Sequence, residues 1–175
     1  VVAPGSLHSY FGKTTWEEYA PGLKSLQDAI RIREKILLAF ELAESANDET
    51  KLPTLLTFVI IGAGPTGVEM AGALAEIAHQ SLKKNFRKID PTLAKIYLIE
   101  GGSQLLSNYP AKLAARPQVD LEKRGVTVLL NTRVTDITAD GVYIGEKFIP
   151  SYNIIWAAGN TASSLLQSLE VPMDK

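Results

Sequence analysis

Gly62, Gly64 and Gly67 follow the β-branched apolar run Thr57 to Ile61 at the spacing Gly-x-Gly-x-x-Gly, and a helix-periodic stretch begins at once behind them. The chemistry this suits is the binding of a dinucleotide pyrophosphate. The first glycine permits a tight turn out of a strand, the second lets bare backbone approach phosphate oxygens, and the third lets the helix pack closely on the strand. The first amides of a helix have no partner within it, and the positive pole of its dipole lies there, so the pyrophosphate is expected over the start of this helix and its glycines. The spacing alone is a weak signal; the strand before it and the helix after it give it force.

A carboxylate supports the same reading. Glu100 closes a second apolar run, Lys95 to Glu100, and occupies the position from which an acidic side chain reaches an adenosine ribose. An ionised carboxylate accepts bonds from both ribose hydroxyls and repels a 2′-phosphate. Gly101-Gly102-Ser103 follow it with no Arg or Lys to hold such a phosphate, so NADH is expected rather than NADPH, with Gly101 beside the ribose. Glu69 lies in the first turn of the phosphate-binding helix. It either complements the dipole or points along the helix towards the nicotinamide. His8 and His79 have no partner spacing for a metal and are assigned to structure. Neither a catalytic side chain nor a metal site is expected.

These groups need elements to hold them. A connector runs from Ser6 to Leu23, with Tyr10, Phe11 and Trp16 expected to pack against a neighbouring domain. A helix should start at Ser25, whose spacing to Asp28 fits a capping box, and continue to about Ala46. The strand Thr57 to Ile61 is apolar throughout, as in a parallel strand covered on both faces. Val68, Ala71, Leu74, Ala78, Leu82 and Phe86 mark the buried face of the next helix. A further helix is expected from about Ala111 to Arg124, where Pro117 implies a kink or a late start. Short strands follow at Val126 to Leu130, Val134 to Thr138, Val142 to Ile144, near Phe148, and at Ile154 to Ala158, with turn signals at Asp140-Gly141 and Gly145. The order predicts an α/β, Rossmann-like, open and mostly parallel sheet with a three-stranded antiparallel β-meander crossover.

With 18 basic and 19 acidic residues intermixed, the chain has a net charge of −1 and no basic stripe, which argues against a nucleic-acid partner. No apolar run reaches the length of a bilayer span and no signal peptide opens the chain, so a cytoplasmic location is expected. The absence of cysteine removes disulfides and thiolate ligands from these residues, leaving electron chemistry to a bound cofactor. Val1-Val2-Ala3-Pro4-Gly5 and Ile155-Trp156-Ala157-Ala158-Gly159 both read as strand ends finishing in Ala-x-Gly, as if one nucleotide-binding unit were inserted into a second domain of a larger protein.

The runs HSYFG from His8, PGLKSLQDAIRIREKILLAFE from Pro21, VIIGAGPTGVEMAGALAEIA from Val59, IYLIEGG from Ile96 and IIWAAGN from Ile154 together resemble the type II NADH dehydrogenases. The resemblance covers essentially the whole chain. It implies a single-subunit flavoenzyme that passes a hydride from NADH to FAD and electrons on to a membrane quinone, of which these residues form the NADH-binding domain. Residues 25–157 would be that domain, with residues 1–24 and 158–175 belonging to the FAD-binding domain that brackets it. By the same resemblance Pro65 and Thr66 join the glycines at the pyrophosphate, Val134 lies near the adenine, and Ala158 and Gly159 lie near the nicotinamide and flavin. Glu69 matches a family glutamate near hydride transfer. The parent would be peripheral on the cytoplasmic face of the inner membrane, in the respiratory chain, and the resemblance allows a homodimer. Two positions depart from the family pattern, Pro4 in place of Thr and Asn160 in place of an apolar residue. The alternatives are the pyridine-nucleotide domain of a disulfide or ferredoxin reductase, or a non-catalytic NADH-sensing module.

Overall fold

The computed structural model describes residues 1–169, so part of the expected return segment 158–175 lies outside the described residues. Strand β1 (Ser6–His8) leads through the connector to helix α1 (Leu26–Ser45) and the short α2 (Leu52–Leu55). The nucleotide-binding unit follows as β2 (Thr57–Ile61), α3 (Pro65–Glu76), β3 (Lys95–Ile99), α4 (Ala111–Lys123) and β4 (Val126–Leu129). Strands β5 (Asp136–Thr138), β6 (Gly141–Ile144) and β7 (Lys147–Pro150) precede β8 (Asn153–Trp156) and β9 (Asn160–Ala162).

Four parallel strands in the order β4-β3-β2-β8 make the central sheet. Every side chain of β2 is buried, which explains its unbroken apolar sequence. Phe58 and Ile60 face a core built with Ile36 and Phe40 of α1 and with Ala71 and Leu74 of α3. Val59 and Ile61 face the other way, towards Ile137 and Val142 of the antiparallel β5-β6-β7 meander and towards Trp156. The expected α/β architecture with its three-stranded meander is therefore present. Its three layers are helices, sheet and meander.

Local chemistry accounts for the elements. Ser25 caps α1 by accepting from Asp28 N–H at 3.2 Å, while the Asp28 carboxylate accepts from Ser25 N–H at 2.8 Å, closing the capping box. Asn153 and Ser151, buried at the start of β8, donate to Leu55 O and Thr57 O at 2.7 and 2.6 Å, so their polar groups are satisfied in the core.

Several expectations change. α4 begins at Ala111, with no late start, and Pro117 sits inside it. The carbonyl this proline leaves without its helical partner is that of Leu113, a residue 62% exposed, so the lost bond lies on the solvent side of the helix. α3 ends at Glu76 and its periodicity continues through a π-turn, Ile77–Ser81, closed by Leu82 N–H to Ile77 O at 2.9 Å. Val1 to Gly5 forms no strand. Instead β1 pairs antiparallel with β9, so the segments flanking the unit run side by side. Tyr10 and Trp16 pack inwards rather than outwards, around Trp156, with ring centroids at 4.9 and 5.8 Å from it; only Phe11 of that group is exposed. Burial pushes the Tyr10 phenol up to about 12, and its hydroxyl donates to Ala20 O.

Candidate functional site: a cleft at the strand ends

The carboxyl ends of β2, β3 and β8 open into a cavity of about 850 Å³. β2 lies between β3 and β8, and the chain passes from it to either side, which makes this the topological switch point where open α/β sheets bind ligands.

The floor is the turn between β2 and α3. Gly62 has φ +100°, and a Cβ there would lie 2.7 Å from backbone atoms of Ala157 and Ala158. A Cβ on Gly67 would lie 1.8 Å from Gly62 O, so this glycine is buried beneath the cavity and sets how closely α3 approaches the sheet. A Cβ on Gly64 would meet nothing within 4 Å. It faces the open space, as a residue reserved for ligand contact should. Gly64 caps α3 without a side-chain partner, and among the described residues the amides of Gly64, Thr66 and Gly67 donate to no protein acceptor. Those donors and the helix dipole make an anion site.

At one end of the cavity stands Glu100. Its Oε2 accepts from Ala63 N–H at 2.8 Å and its Oε1 from Gly102 N–H at 2.7 Å, so the carboxylate ties the glycine turn to the end of β3. Each oxygen keeps a further lone pair for a ligand hydroxyl. Gly101 and Val134 line the same end. At the other end lie Ala158 and Gly159, with Gly159 O accepting from Ser9 N–H at 3.3 Å. Pro65 and Thr66 line the middle. Glu69 is placed differently, exposed on α3 and outside the lining.

The fold also brings in side chains that local sequence reading misses. Arg133 lies beside Gly101, where a Cβ would come within 3.3 Å of its Cγ. The residues that follow Glu100 carry no Arg or Lys, as the sequence reads, but the fold brings the cation of Arg133 to their side from a distant segment. Lys24 Nζ donates to Asn160 Oδ1 at 2.7 Å and to Ser6 Oγ at 2.9 Å, giving the departure at Asn160 a structural role. Lys13 lies 5.8 Å from the centroid of the Trp16 ring. With Lys13, Lys24 and Arg133 against the single carboxylate of Glu100, the charged lining carries an excess of positive charge suited to a diphosphate. His8, assigned to structure from sequence, also lines the cavity. Among the described residues its Nε2 is buried without a partner, and burial, then Lys24, holds the imidazole below its ordinary pKa. His79 is structural, its Nδ1 2.8 Å from Arg124 O. Among the described residues no cluster of His, Asp or Glu could hold a metal.

The comparisons agree with this geometry. The profile of the pyridine nucleotide-disulphide oxidoreductase family matches residues 1–175. The chain is 42% identical over 174 residues to the type II NADH:quinone oxidoreductase Ndh of Mycobacterium tuberculosis, covering 97% of this chain and 38% of that one. It is 32% identical over 162 residues to a probable NADH dehydrogenase of Dictyostelium discoideum, covering 91% and 36%. Among solved structures, NDH2 from Plasmodium falciparum in complex with NADH superposes with a TM-score of 0.86 at 26% identity, covering 93% of this chain and 34% of that one. The chain thus spans little more than a third of the length of these relatives. With glycine turn, strand-end carboxylate and whole-chain profile in accord, the chain belongs to the pyridine nucleotide-disulphide oxidoreductase family.

Proposed function

We propose that the chain is the NADH-binding domain of a type II NADH:quinone oxidoreductase. The observation that carries this is the pairing of free amides at the start of α3 with the strand-end carboxylate of Glu100 in one cavity. The amides of Gly64, Thr66 and Gly67 hold the pyrophosphate, Glu100 and Gly101 border the adenosine ribose, and Val134 lies on the adenine side. Ala158 and Gly159 border the nicotinamide. FAD, when bound by the flanking domain of the parent chain, supplies the two-electron acceptor that relays electrons to quinone. The task of this domain is to bind NADH extended across the sheet, exclude water from the nicotinamide face and orient it towards the β1 and β9 segments. Residues 25–157 form the domain in this reading, and residues 1–24 and 158–175 lead to the FAD-binding part. Glu69, exposed, either complements the α3 dipole or meets the nicotinamide end once the flanking domain is present.

Among the described residues no helix is long and apolar enough to cross a membrane, which fits a peripheral protein on the cytoplasmic face of the inner membrane, feeding the respiratory chain. Association into a homodimer belongs to the same reading. The relatives at 42% and 41% identity are both named as quinone oxidoreductases, which favours that acceptor over a disulfide or ferredoxin. Assay of the full-length protein for NADH oxidation with quinone, disulfide and ferredoxin acceptors should give turnover with quinone. Turnover with a disulfide alone would reassign the domain, and NADH binding without any turnover would favour a sensor.

A further inference from the structure

We propose that Arg133 is a latent 2′-phosphate receptor, so that the preference for NADH over NADPH is held by the charge of Glu100 alone. The inference rests on the reading of the cavity as a dinucleotide site and goes beyond it in assigning a second specificity group.

The backbone that leads to Arg133 is held by hydrogen bonds, and among the described residues no carboxylate pairs with its side chain. Asn131, with φ 50°, turns the chain after β4; its N–H donates to Gly102 O at 2.8 Å, and Thr132 N–H donates to Glu100 O at 2.9 Å. This laces the segment to the strand end that carries Glu100 and delivers Arg133 over Gly101. A Cβ on Gly101 would lie 3.3 Å from Arg133 Cγ and 3.5 Å from its Nε. The missing side chain at Gly101 is therefore what gives the arginine its seat on the cavity rim.

The guanidinium is not engaged elsewhere. Among the described residues no carboxylate comes within the 4.0 Å of an ion pair with it, although Glu100 is the next residue to Gly101. The amide of Gly101, on the same rim, also donates to no protein acceptor among the described residues. A guanidinium fork and a free amide beside the ribose position are the donors a phosphate dianion takes. What opposes that anion is Glu100, whose two oxygens are held by Ala63 and Gly102 and so keep a fixed negative charge at the ribose. With that charge neutralised, the remaining rim matches NADPH.

Titration of the full chain with NADH and NADPH, followed by fluorescence of the cavity-lining Trp16 and Trp156, tests this. Glu100→Gln should narrow the preference for NADH at least about tenfold, and Arg133→Ala added to it should raise the Kd for NADPH about tenfold while moving that for NADH less than about threefold. A second arm does not depend on the glycine turn tolerating Glu100→Gln. Arg133→Ala alone should widen the native preference for NADH several-fold. An unchanged NADH to NADPH ratio in both Arg133→Ala proteins, or equal weakening of both nucleotides as for a residue that merely covers the adenine, overturns the inference. Failure of the unmodified chain to bind NADH overturns instead the reading on which it stands.

Discussion

The two ends of the cavity are built in different ways. Around Glu100 the groups are interlocked by short backbone bonds between β3, the glycine turn and the segment after β4, so the carboxylate and the amides sit on a scaffold that the sheet makes rigid. Around Gly159 the walls come from the connector and from the two-stranded β1-β9 ribbon, whose β9 residues are all exposed, and the link is the polar clasp of Lys24 with Ser6 and Asn160. One end is tied together within the central sheet and its turns, whereas the other is walled by an exposed ribbon held by a side-chain clasp.

The largest way to break the contrast is at the turn beneath both ends. Gly67→Ala would drive a Cβ onto the Gly62 carbonyl, a backbone atom that cannot step aside, and should cost about 3 kcal/mol of stability in denaturant unfolding, with NADH binding lost. Next, Glu100→Ala should raise the Kd for NADH about ten- to hundredfold by titration, since a charged acceptor is removed. Gly64→Ala separates binding from folding: a Cβ there meets open space, so stability should fall by less than about 1 kcal/mol while NADH affinity falls about tenfold.

The connector end has its own signature in pH. Lys35 donates to Tyr19 O at 3.0 Å, and burial, with Arg31 nearby, lowers its pKa to about 8 from 10.5. The unfolded chain binds that proton more tightly, so stability should rise, by an amount of order 1 kcal/mol, as pH climbs from about 8 to 10.5. Lys35→Met should flatten that slope in urea titrations at several pH values. The smallest effect is expected from Asn160→Leu, which breaks the Lys24 clasp but should shift NADH affinity less than about threefold, because the phosphate and ribose contacts lie elsewhere. A tenfold loss would mean that the two ends are coupled.

What could be read from sequence was what short-range chemistry dictates. The all-apolar β2, the glycine turn, the Ser25-Asp28 capping box and the Asp140-Gly141 turn of the meander each depend on residues a few positions apart, and each formed where expected. The same holds for Glu100, placed by the end of its own strand. Arg133 was hidden because its neighbour Gly101 is reached only through the parallel pairing of β3 with β4. Tyr10 and Trp16 looked like an outward-facing aromatic group because nothing local announces the space beneath Trp156 that they fill. Pro117 lies inside a helix of the expected range, Ala111 to Lys123, and of the two effects foreseen for it the late start is not seen, since the cost of a proline depends on where its orphaned carbonyl lies.

The double seat of the Glu100 carboxylate also bears on speed. Because its two amide partners already fasten the glycine turn, a nucleotide bound there as proposed would find no loop to marshal. Capture should then run at a rate set by encounter and by the cationic rim, slowing as salt rises, with no lag for rearrangement.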